Sequence, residues 1–169
     1  VRFDLDSPGV QHPLVLDSRP EVIRQSVEGS LRRLQTDHID LYFQHRIDPK
    51  VEPECVAEVM NTLMREGKIL HWGISEANAD YLCRAHAVCP VTAVENRYSM
   101  MARQYETLFP VLEALNVGLV AFSPLANGLL PGRYGKGLRF DSQYDYRSAM
   151  PQFTDSAAEQ NSALLGLLN

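Results

Sequence analysis

Apolar and polar residues alternate over short stretches of this chain, and each such stretch predicts a β-strand. Residues 39–43 (IDLYF) place three apolar side chains on one face, and the strand opens into a loop at His45. Short runs rich in apolar and β-branched residues predict further strands over 69–75, 91–94 and 118–122. These four segments are the framework of the predicted fold.

Apolar residues at helical spacing separate the predicted strands. The predicted helices cover about 18–35, 53–67, 78–90, 110–115 and 154–168. Ser18 and Glu21 have the spacing of a capping box at the first helix. Gly67 is predicted to end the second helix, while Asn78 and Thr154 cap the starts of two others. Residues 1–17 and 124–147 lack periodicity and are predicted to be loops.

A polar residue is predicted at the carboxyl end of every strand. These residues are His45, Ser75, Glu95 and Ser123. Each of them alone is typical of an ordinary hydrogen-bonded strand end. One helix lies between each pair of strands, so the strands are predicted to be parallel and their carboxyl ends to share one edge. Ligands of α/β folds bind at that edge, which makes the four residues a candidate site.

The predicted fold class is α/β, as an incomplete (β/α)8 TIM barrel of about four βα units. A complete barrel has eight strands and about 250 residues, whereas this chain has 169 residues in a single predicted domain, 1–169. A doubly wound open sheet is the alternative, but no glycine-rich phosphate-binding motif follows any strand. We therefore expect barrel strands on both sides of this segment in a longer parent protein. A first residue other than Met agrees with that expectation.

Composition narrows the range of functions. The formal net charge of −5 argues against a nucleic-acid partner, because there is no basic excess to neutralise phosphates. The sequence has no apolar run long enough for a membrane span, no secretory signal pattern and no histidine or cysteine spacing typical of a metal site. The three cysteines are predicted to be reduced and at least partly buried, as in a cytoplasmic protein.

Four motifs, taken together, resemble the aldo-keto reductase family. They are EGSLRRLQTDHIDLYFQHRIDP, EGKILHWGISEA, TAVENRYSMM and LVAFSPLANGLLPGRY, in the order and spacing found in that family. The resemblance runs from about Ser18 into the final helix. It implies a (β/α)8 barrel that reduces aldehydes and ketones to alcohols with NADPH (NADP+), without a metal or flavin.

The resemblance also implies roles for individual residues. His45 matches the histidine that hydrogen-bonds the substrate carbonyl. Ser75 and Glu76 match residues that contact the nicotinamide carboxamide, and Glu95 stands where the family usually has a glutamine for the same group. Because a carboxylate accepts but does not donate hydrogen bonds, Glu95 can bind only the amide NH2. Phe122 matches the aromatic residue that stacks on the nicotinamide.

The segment after the fourth strand matches the family's pyrophosphate loop. The resemblance assigns to it Ser123, Leu125, Ala126 and Asn127, with Arg133 as a basic residue close to the phosphates. The family's catalytic aspartate, tyrosine and lysine match no part of this chain, and the motifs for the adenine end are expected beyond it. Tyr42 and Tyr98 are not predicted to replace the catalytic tyrosine, because Tyr42 faces away from His45 and Tyr98 has no lysine neighbour.

We therefore expect the parent protein to be an NADPH-dependent carbonyl reductase and residues 1–169 alone to be inactive and poorly folded. Its partner is then a small-molecule carbonyl substrate, not a membrane or a nucleic acid. One alternative is a non-catalytic nucleotide-binding or regulatory subunit, as in the related potassium-channel β-subunits. Those often replace the motif histidine with asparagine, so His45 favours the enzyme. A truncated gene product without activity is a further alternative.

Overall fold

The computed structural model describes residues 2–3, 14–134 and 137–168. Its strands are β1 (Arg2–Phe3), β2 (Leu14–Val15), β3 (Ile39–Gln44), β4 (Ile69–Ser75), β5 (Ala93–Arg97) and β6 (Gly118–Phe122). Its α-helices are α1 (Pro20–Leu34), α2 (Pro53–Arg65), α3 (Ala79–Val88), α4 (Phe109–Leu115) and α5 (Asp155–Leu168). Short 3-10 turns lie at Glu106–Leu108, Ala126–Gly128, Tyr146–Ala149 and Pro151–Phe153.

Four of the strands form one parallel sheet in the order β3-β4-β5-β6. A helix lies between each pair of consecutive strands, as in βαβ units. The α/β class and the parallel arrangement predicted from the hydrophobic pattern are thereby confirmed. The carboxyl ends of all four strands lie at the same edge of the sheet, which we call the carboxyl edge.

The limits of two predicted strands are confirmed, and those of a third are wrong. β4 and β6 cover the predicted residues, whereas β5 begins at Ala93 and continues to Arg97 instead of ending at Val94. The polar residues of β5 stay in the strand because their backbone pairs with β6 as far as Arg97 opposite Phe122. Asn96 is fully buried and its amide bonds the backbone N–H and C=O of Ala77, so it is satisfied inside the fold.

The helix ends follow the sequence signals with one exception. The Asn78 side chain accepts a hydrogen bond from the Tyr81 backbone, and Gly67 adopts a φ of +71° just after α2. Thr154 accepts from the backbone of Ala157 at the start of α5. The predicted capping box at Ser18 is wrong.

Ser18 has a buried structural role instead. α1 begins at Pro20 without a side-chain cap. The Ser18 backbone N–H donates to Asp48, and its hydroxyl accepts from the Gln44 amide. The position therefore ties the start of α1 to β3 and to the turn that follows it, and Asp48 also accepts from the backbone of Lys50.

The first predicted loop is also partly wrong. β1 and β2 form an antiparallel pair, with Arg2 opposite Val15 and Phe3 opposite Leu14. The rest of that prediction concerns residues 1 and 4–13, which lie outside the described residues, and residues 16–17, which belong to no helix or strand.

The two faces of the sheet carry different side chains. The helix face packs against α1, α2 and α3 and presents alternate strand residues, among them Tyr42, Gln44, Trp72, Ile74, Val94 and Asn96. The opposite side, which we call the inner face, presents Phe43, His45, Gly73, Ser75, Glu95, Arg97 and Phe122. The core lies on the helix face, where Trp72, Met60 and Leu63 are fully or almost fully buried.

The predicted burial of the cysteines holds for one thiol only. Cys89 is buried and its burial raises the pKa of the thiol, while Cys55 and Cys83 are exposed on helices. No disulfide links the three. Within the described residues, no helix has the length and apolarity needed to cross a membrane, and no group of histidines, cysteines and carboxylates is arranged to hold a metal ion.

Candidate active site

The four polar residues predicted at the strand ends lie along the carboxyl edge. Ser75 is directly opposite Glu95, and His45 follows Gln44, which is opposite Ile74. Ser123 follows Phe122 at the end of β6. Glu95 differs from the prediction because it lies two residues before the end of β5. The parallel register therefore brings together His45, Ser75 and Glu95 on the inner face.

His45 is exposed at the start of the loop after β3. Partial burial of the imidazole, assisted by the positive charge of Arg46, lowers its pKa below the ordinary value, and the Glu95 carboxylate acts in the opposite direction. The neutral ring is thereby favoured near pH 7. A neutral imidazole has one N–H, which can donate a hydrogen bond to a carbonyl oxygen without carrying a full charge.

A network of charged and aromatic residues centres on Glu76. Its carboxylate pairs with Arg46 at 3.3 Å, accepts from the Tyr105 hydroxyl at 2.8 Å and accepts from the backbone N–H of Arg97 at 3.3 Å. Burial and the Glu76 carboxylate together raise the pKa of Tyr105 to about 12. A carboxamide bound by Glu76, as predicted, has to compete with these three partners for the carboxylate.

Residues with left-handed backbone conformations lie within this network and next to it. Arg46, Glu76 and Ser123 each follow closely on a strand end, with φ values of +74°, +59° and +52°. Residues other than glycine rarely adopt such values, and they concentrate at sites where the surrounding structure imposes them. Three of the four strands are thus followed, at the carboxyl edge, by a residue with a left-handed backbone conformation.

Phe122 lies beside two guanidinium groups. The Cζ atoms of Arg46 and Arg97 are 5.8 and 5.5 Å from the ring centroid, within the range of cation–π attraction. The ring is half-buried and ends β6 on the inner face. A planar ligand can stack on the ring, where it has to fit beside the two guanidinium groups.

The segment after β6 divides into lining and exposed residues. Ser123, Ala126 and Asn127 line a cavity of about 140 Å³ next to the carboxyl edge. Leu125 and Arg133 are exposed and do not line it. The predicted phosphate-binding residues are therefore only partly brought together in this structure.

The larger depressions lie away from the chemistry just described. One of about 510 Å³ lies between α4 and the start of β6, at the amino end of that strand, and it is lined mainly by apolar residues such as Phe109, Leu112 and Leu119. Another of about 500 Å³ lies between α1 and α2. Ligand sites of parallel α/β proteins lie at the carboxyl edge, where two smaller cavities are the better candidates: one of about 170 Å³ lined by His45 and Arg46, and the one of about 140 Å³ beside Ser123.

Neither of the two tyrosines considered as a substitute acid is suited to that role. The Tyr42 hydroxyl donates to Ser26 of α1 on the helix face. The Tyr98 hydroxyl donates to Glu106, and this carboxylate raises the pKa of Tyr98. A higher pKa makes proton donation harder.

Sequence reasoning did not identify Arg46, Arg97 or Tyr105 as residues of the site. For Arg97 a signal was present, because it lies two positions after Glu95 and therefore shares its face once β5 is extended. For Tyr105 no local signal exists, since its bond to Glu76 joins residues 29 positions apart.

A parallel sheet with alternating helices and a polar carboxyl edge is typical of α/β proteins that bind ligands at that edge. The family model "Aldo/keto reductase family" matches residues 9–166. The chain belongs to the aldo/keto reductase family, as the four motifs predicted.

Solved structures of the same family share the fold. A glycerol dehydrogenase from Gluconobacter oxydans is 30% identical, with a TM-score of 0.85 over 94% of this chain and 48% of that chain. An aldo-keto reductase from Bacillus halodurans, in its holo form, is 29% identical, with a TM-score of 0.63 over 78% of this chain and 44% of that chain. An aldo/keto reductase from Klebsiella pneumoniae in complex with NADP and acetate is 32% identical, with a TM-score of 0.57 over 66% and 39%.

The chain spans less than half the length of these relatives. Its four-stranded sheet with covering helices therefore matches part of a (β/α)8 barrel, which confirms the predicted fold class. Membership of the family supports an oxidoreductase.

Proposed function

We propose that residues 1–169 form the part of an NADPH-dependent carbonyl reductase that holds the substrate carbonyl and the nicotinamide. The observation that carries the proposal is the placement of His45, Ser75, Glu95 and Phe122 on the inner face at one carboxyl edge. The substrate class is an aldehyde or ketone. The reaction requires hydride for the carbonyl carbon, supplied by NADPH when bound, and a proton for the carbonyl oxygen.

His45 is the residue of this chain that acts on the substrate. Its lowered pKa keeps the ring neutral near pH 7, so that one ring N–H is available to donate to the carbonyl oxygen. That hydrogen bond strengthens as negative charge develops on the oxygen, which is the condition for a contribution to catalysis. The family resemblance assigns the proton donor to a tyrosine outside this chain, and Tyr42 and Tyr98 are engaged elsewhere.

The residues present fit a nicotinamide in their chemistry. Phe122 offers an aromatic face, and Ser75 and Glu95, paired across β4 and β5, offer a hydroxyl and a carboxylate for an amide group. Ser75 is almost fully buried, with 3% of its surface exposed, so Glu95 is the more accessible of the two. Glu95 binds only the NH2 side of the carboxamide, which leaves its carbonyl oxygen to Ser75.

The test uses the complete gene product, with any sequence that flanks residues 1–169. Reduction of a panel of aldehydes and ketones is followed by the loss of NADPH absorbance. We expect turnover in the wild type and a decrease in kcat of about 10²–10³ for His45→Ala, the usual effect of removing one donor to a developing oxyanion. Arg33→Gln, on the far side of α1, is the control and keeps the wild-type rate.

The same experiment separates the alternatives. Tight binding of NADPH without reduction of any carbonyl contradicts the enzyme and supports a regulatory subunit. Absence of both binding and turnover in a folded gene product supports a truncated product without function. Turnover by purified residues 1–169 alone contradicts the assignment of the proton donor to a residue outside this chain.

A further inference from the structure

The Glu76 side chain joins three neighbouring segments at the carboxyl edge. Glu76 follows β4, and its carboxylate contacts Arg46 in the loop after β3 and the Tyr105 hydroxyl in the segment after β5. The same carboxylate accepts a hydrogen bond from the backbone N–H of Arg97 in β5. It is therefore the point at which the loops on either side are attached to the end of β4.

These contacts use both oxygens of the Glu76 carboxylate. Oε1 accepts from the Arg97 backbone, while Oε2 accepts from Tyr105 and pairs with Arg46. Only 26% of the Glu76 side chain is exposed. Within the described residues, by contrast, no side-chain hydrogen bond or ion pair engages the carboxylate of Glu95. A carboxamide has to displace a partner of Glu76, whereas it meets an unoccupied carboxylate at Glu95.

Arg46 lies between two parts of the candidate active site. It lines the cavity of about 170 Å³ together with His45, and its Cζ atom is 5.8 Å from the centroid of the Phe122 ring. A solvated arginine side chain samples many rotamers. The ion pair with the half-buried Glu76 carboxylate restricts Arg46 to this place, so the position of its guanidinium depends on Glu76.

The backbone of both paired residues is left-handed. The φ values of Arg46 and Glu76 are +74° and +59°. Glycine adopts such values at a lower cost than either residue. Non-glycine residues persist there when surrounding contacts impose the conformation, and the contact that these two side chains share is their ion pair.

We propose that Glu76 is a positioning residue and not a ligand of the nicotinamide carboxamide: it holds the Arg46 guanidinium beside His45, where Arg46 contacts the carbonyl substrate. The proposal rests on the proposed function, because the substrate is the carbonyl compound that His45 binds. It departs from the role that the family resemblance gives to Glu76. It also leaves the NH2 group of the carboxamide to Glu95.

A change in the cofactor tests whether Glu76 binds the carboxamide. In the 3-acetylpyridine analogue of NADP+ a methyl group replaces the carboxamide NH2. Calorimetry gives the affinities of the complete gene product for both forms without any turnover. We expect Glu95→Ala to reduce the preference for NADP+ over the analogue by roughly 10-fold, the effect of one hydrogen bond to a charged group. Glu76→Ala leaves the preference as in the wild type. A loss of preference in Glu76→Ala as large as in Glu95→Ala overturns the proposal.

A double-mutant cycle tests whether Glu76 acts through Arg46. We expect Glu76→Gln and Arg46→Gln each to lower kcat/KM for the carbonyl by roughly 10-fold while the affinity for NADP+ is kept. The double variant loses no more than either single variant, because both remove the same contact. Glu76→Asp retains the carboxylate and recovers part of the loss.

Glu66→Gln is the matched control for this cycle. It removes a carboxylate that pairs with Arg24 at 2.7 Å, close to the amino end of β4, and it keeps the wild-type kcat/KM. Losses that multiply in the double variant, or an unchanged kcat/KM in Glu76→Gln, overturn the proposal.

The two tests separate this proposal from the proposed function. A wild type that binds NADP+ but reduces no carbonyl contradicts the proposed function, and the preference between the two cofactor forms still decides whether Glu76 binds the carboxamide. An unchanged preference in Glu95→Ala contradicts the role of Glu95 alone. A folded wild type that binds neither cofactor form overturns both proposals.

Discussion

The helix face and the inner face of the same sheet have opposite characters. On the helix face Trp72, Ile74 and Val94 are fully buried against helices, and the buried polar residue Asn96 is satisfied by the backbone. On the inner face His45 is exposed, and Glu95, Arg97 and Phe122 keep part of their surface in solvent. Alternate residues of one strand can thus serve stability on one face and ligand binding on the other.

The contrast is not uniform along the strands. On the inner face Ser75 is nearly buried, and the Phe43 ring lies directly against the backbone at Gly73. On the helix side of β6, Leu119 is 36% exposed, although it occupies a position that points towards the helices. The separation of roles is therefore sharpest in β5, where the buried Val94 and Asn96 alternate with the partly exposed Glu95 and Arg97.

The largest expected effect concerns the helix face at Trp72. Because the ring is fully buried among the core residues, Trp72→Ala leaves a large cavity and lowers the free energy of unfolding by about 3–5 kcal/mol. Leu70 is on the same strand face but is 43% exposed, so Leu70→Ala costs about 1 kcal/mol or less. Urea unfolding measures both. Equal losses for the two variants contradict the assignment of the core.

A smaller effect is expected on the inner face at Gly73. A Cβ there lies 2.4 Å from a Phe43 ring carbon and 2.7 Å from the Ala93 carbonyl oxygen. Gly73→Ala therefore forces the ring and the β4–β5 backbone apart, at a cost of about 1–3 kcal/mol in the same unfolding experiment.

Two further variants sharpen this prediction. Gly118→Ala is the matched control in β6, where the nearest atom is 3.6 Å away, and changes stability by less than about 1 kcal/mol. Phe43→Leu combined with Gly73→Ala recovers part of the loss, because only the contact with the carbonyl remains. An unchanged stability for Gly73→Ala itself contradicts the close approach of Phe43.

The fold was largely predictable because its strands are local signals. Residues 69–75 and 118–122 were predicted to their ends, since each apolar run coincides with a paired strand. β5 was not, because Glu95, Asn96 and Arg97 read as a loop in a linear sequence. They remain in the strand through bonds to Ala77 and pairing with β6, which only the folded chain reveals.

The candidate site was predictable in its position and less so in its contacts. Parallel strands bring their ends to one edge whatever the residues are, so the placement of His45, Ser75 and Glu95 followed from topology. The partners of Glu76 are side chains from two separate loops and the backbone of Arg97 in β5, and no spacing in the sequence relates Arg46 to Tyr105. The roles of these residues towards a ligand stay predictions.

The smallest expected effect links the inner face to pH through His45. Burial and Arg46 hold the pKa of the folded imidazole below its ordinary value of 6.5, so between these two values the unfolded chain binds more protons than the folded one. The histidine contribution to stability is therefore complete above about pH 6.5 and is lost as the pH falls towards the folded pKa.

His45→Gln removes this part of the pH dependence of stability, so the difference in unfolding free energy between wild type and variant shrinks at acidic pH. Arg46→Gln reduces the same pH dependence without removing the histidine, because it takes away the neighbouring positive charge. If both variants follow the wild-type pH dependence, His45 is as well solvated as a histidine of the unfolded chain, and the inner face then provides no special environment for it.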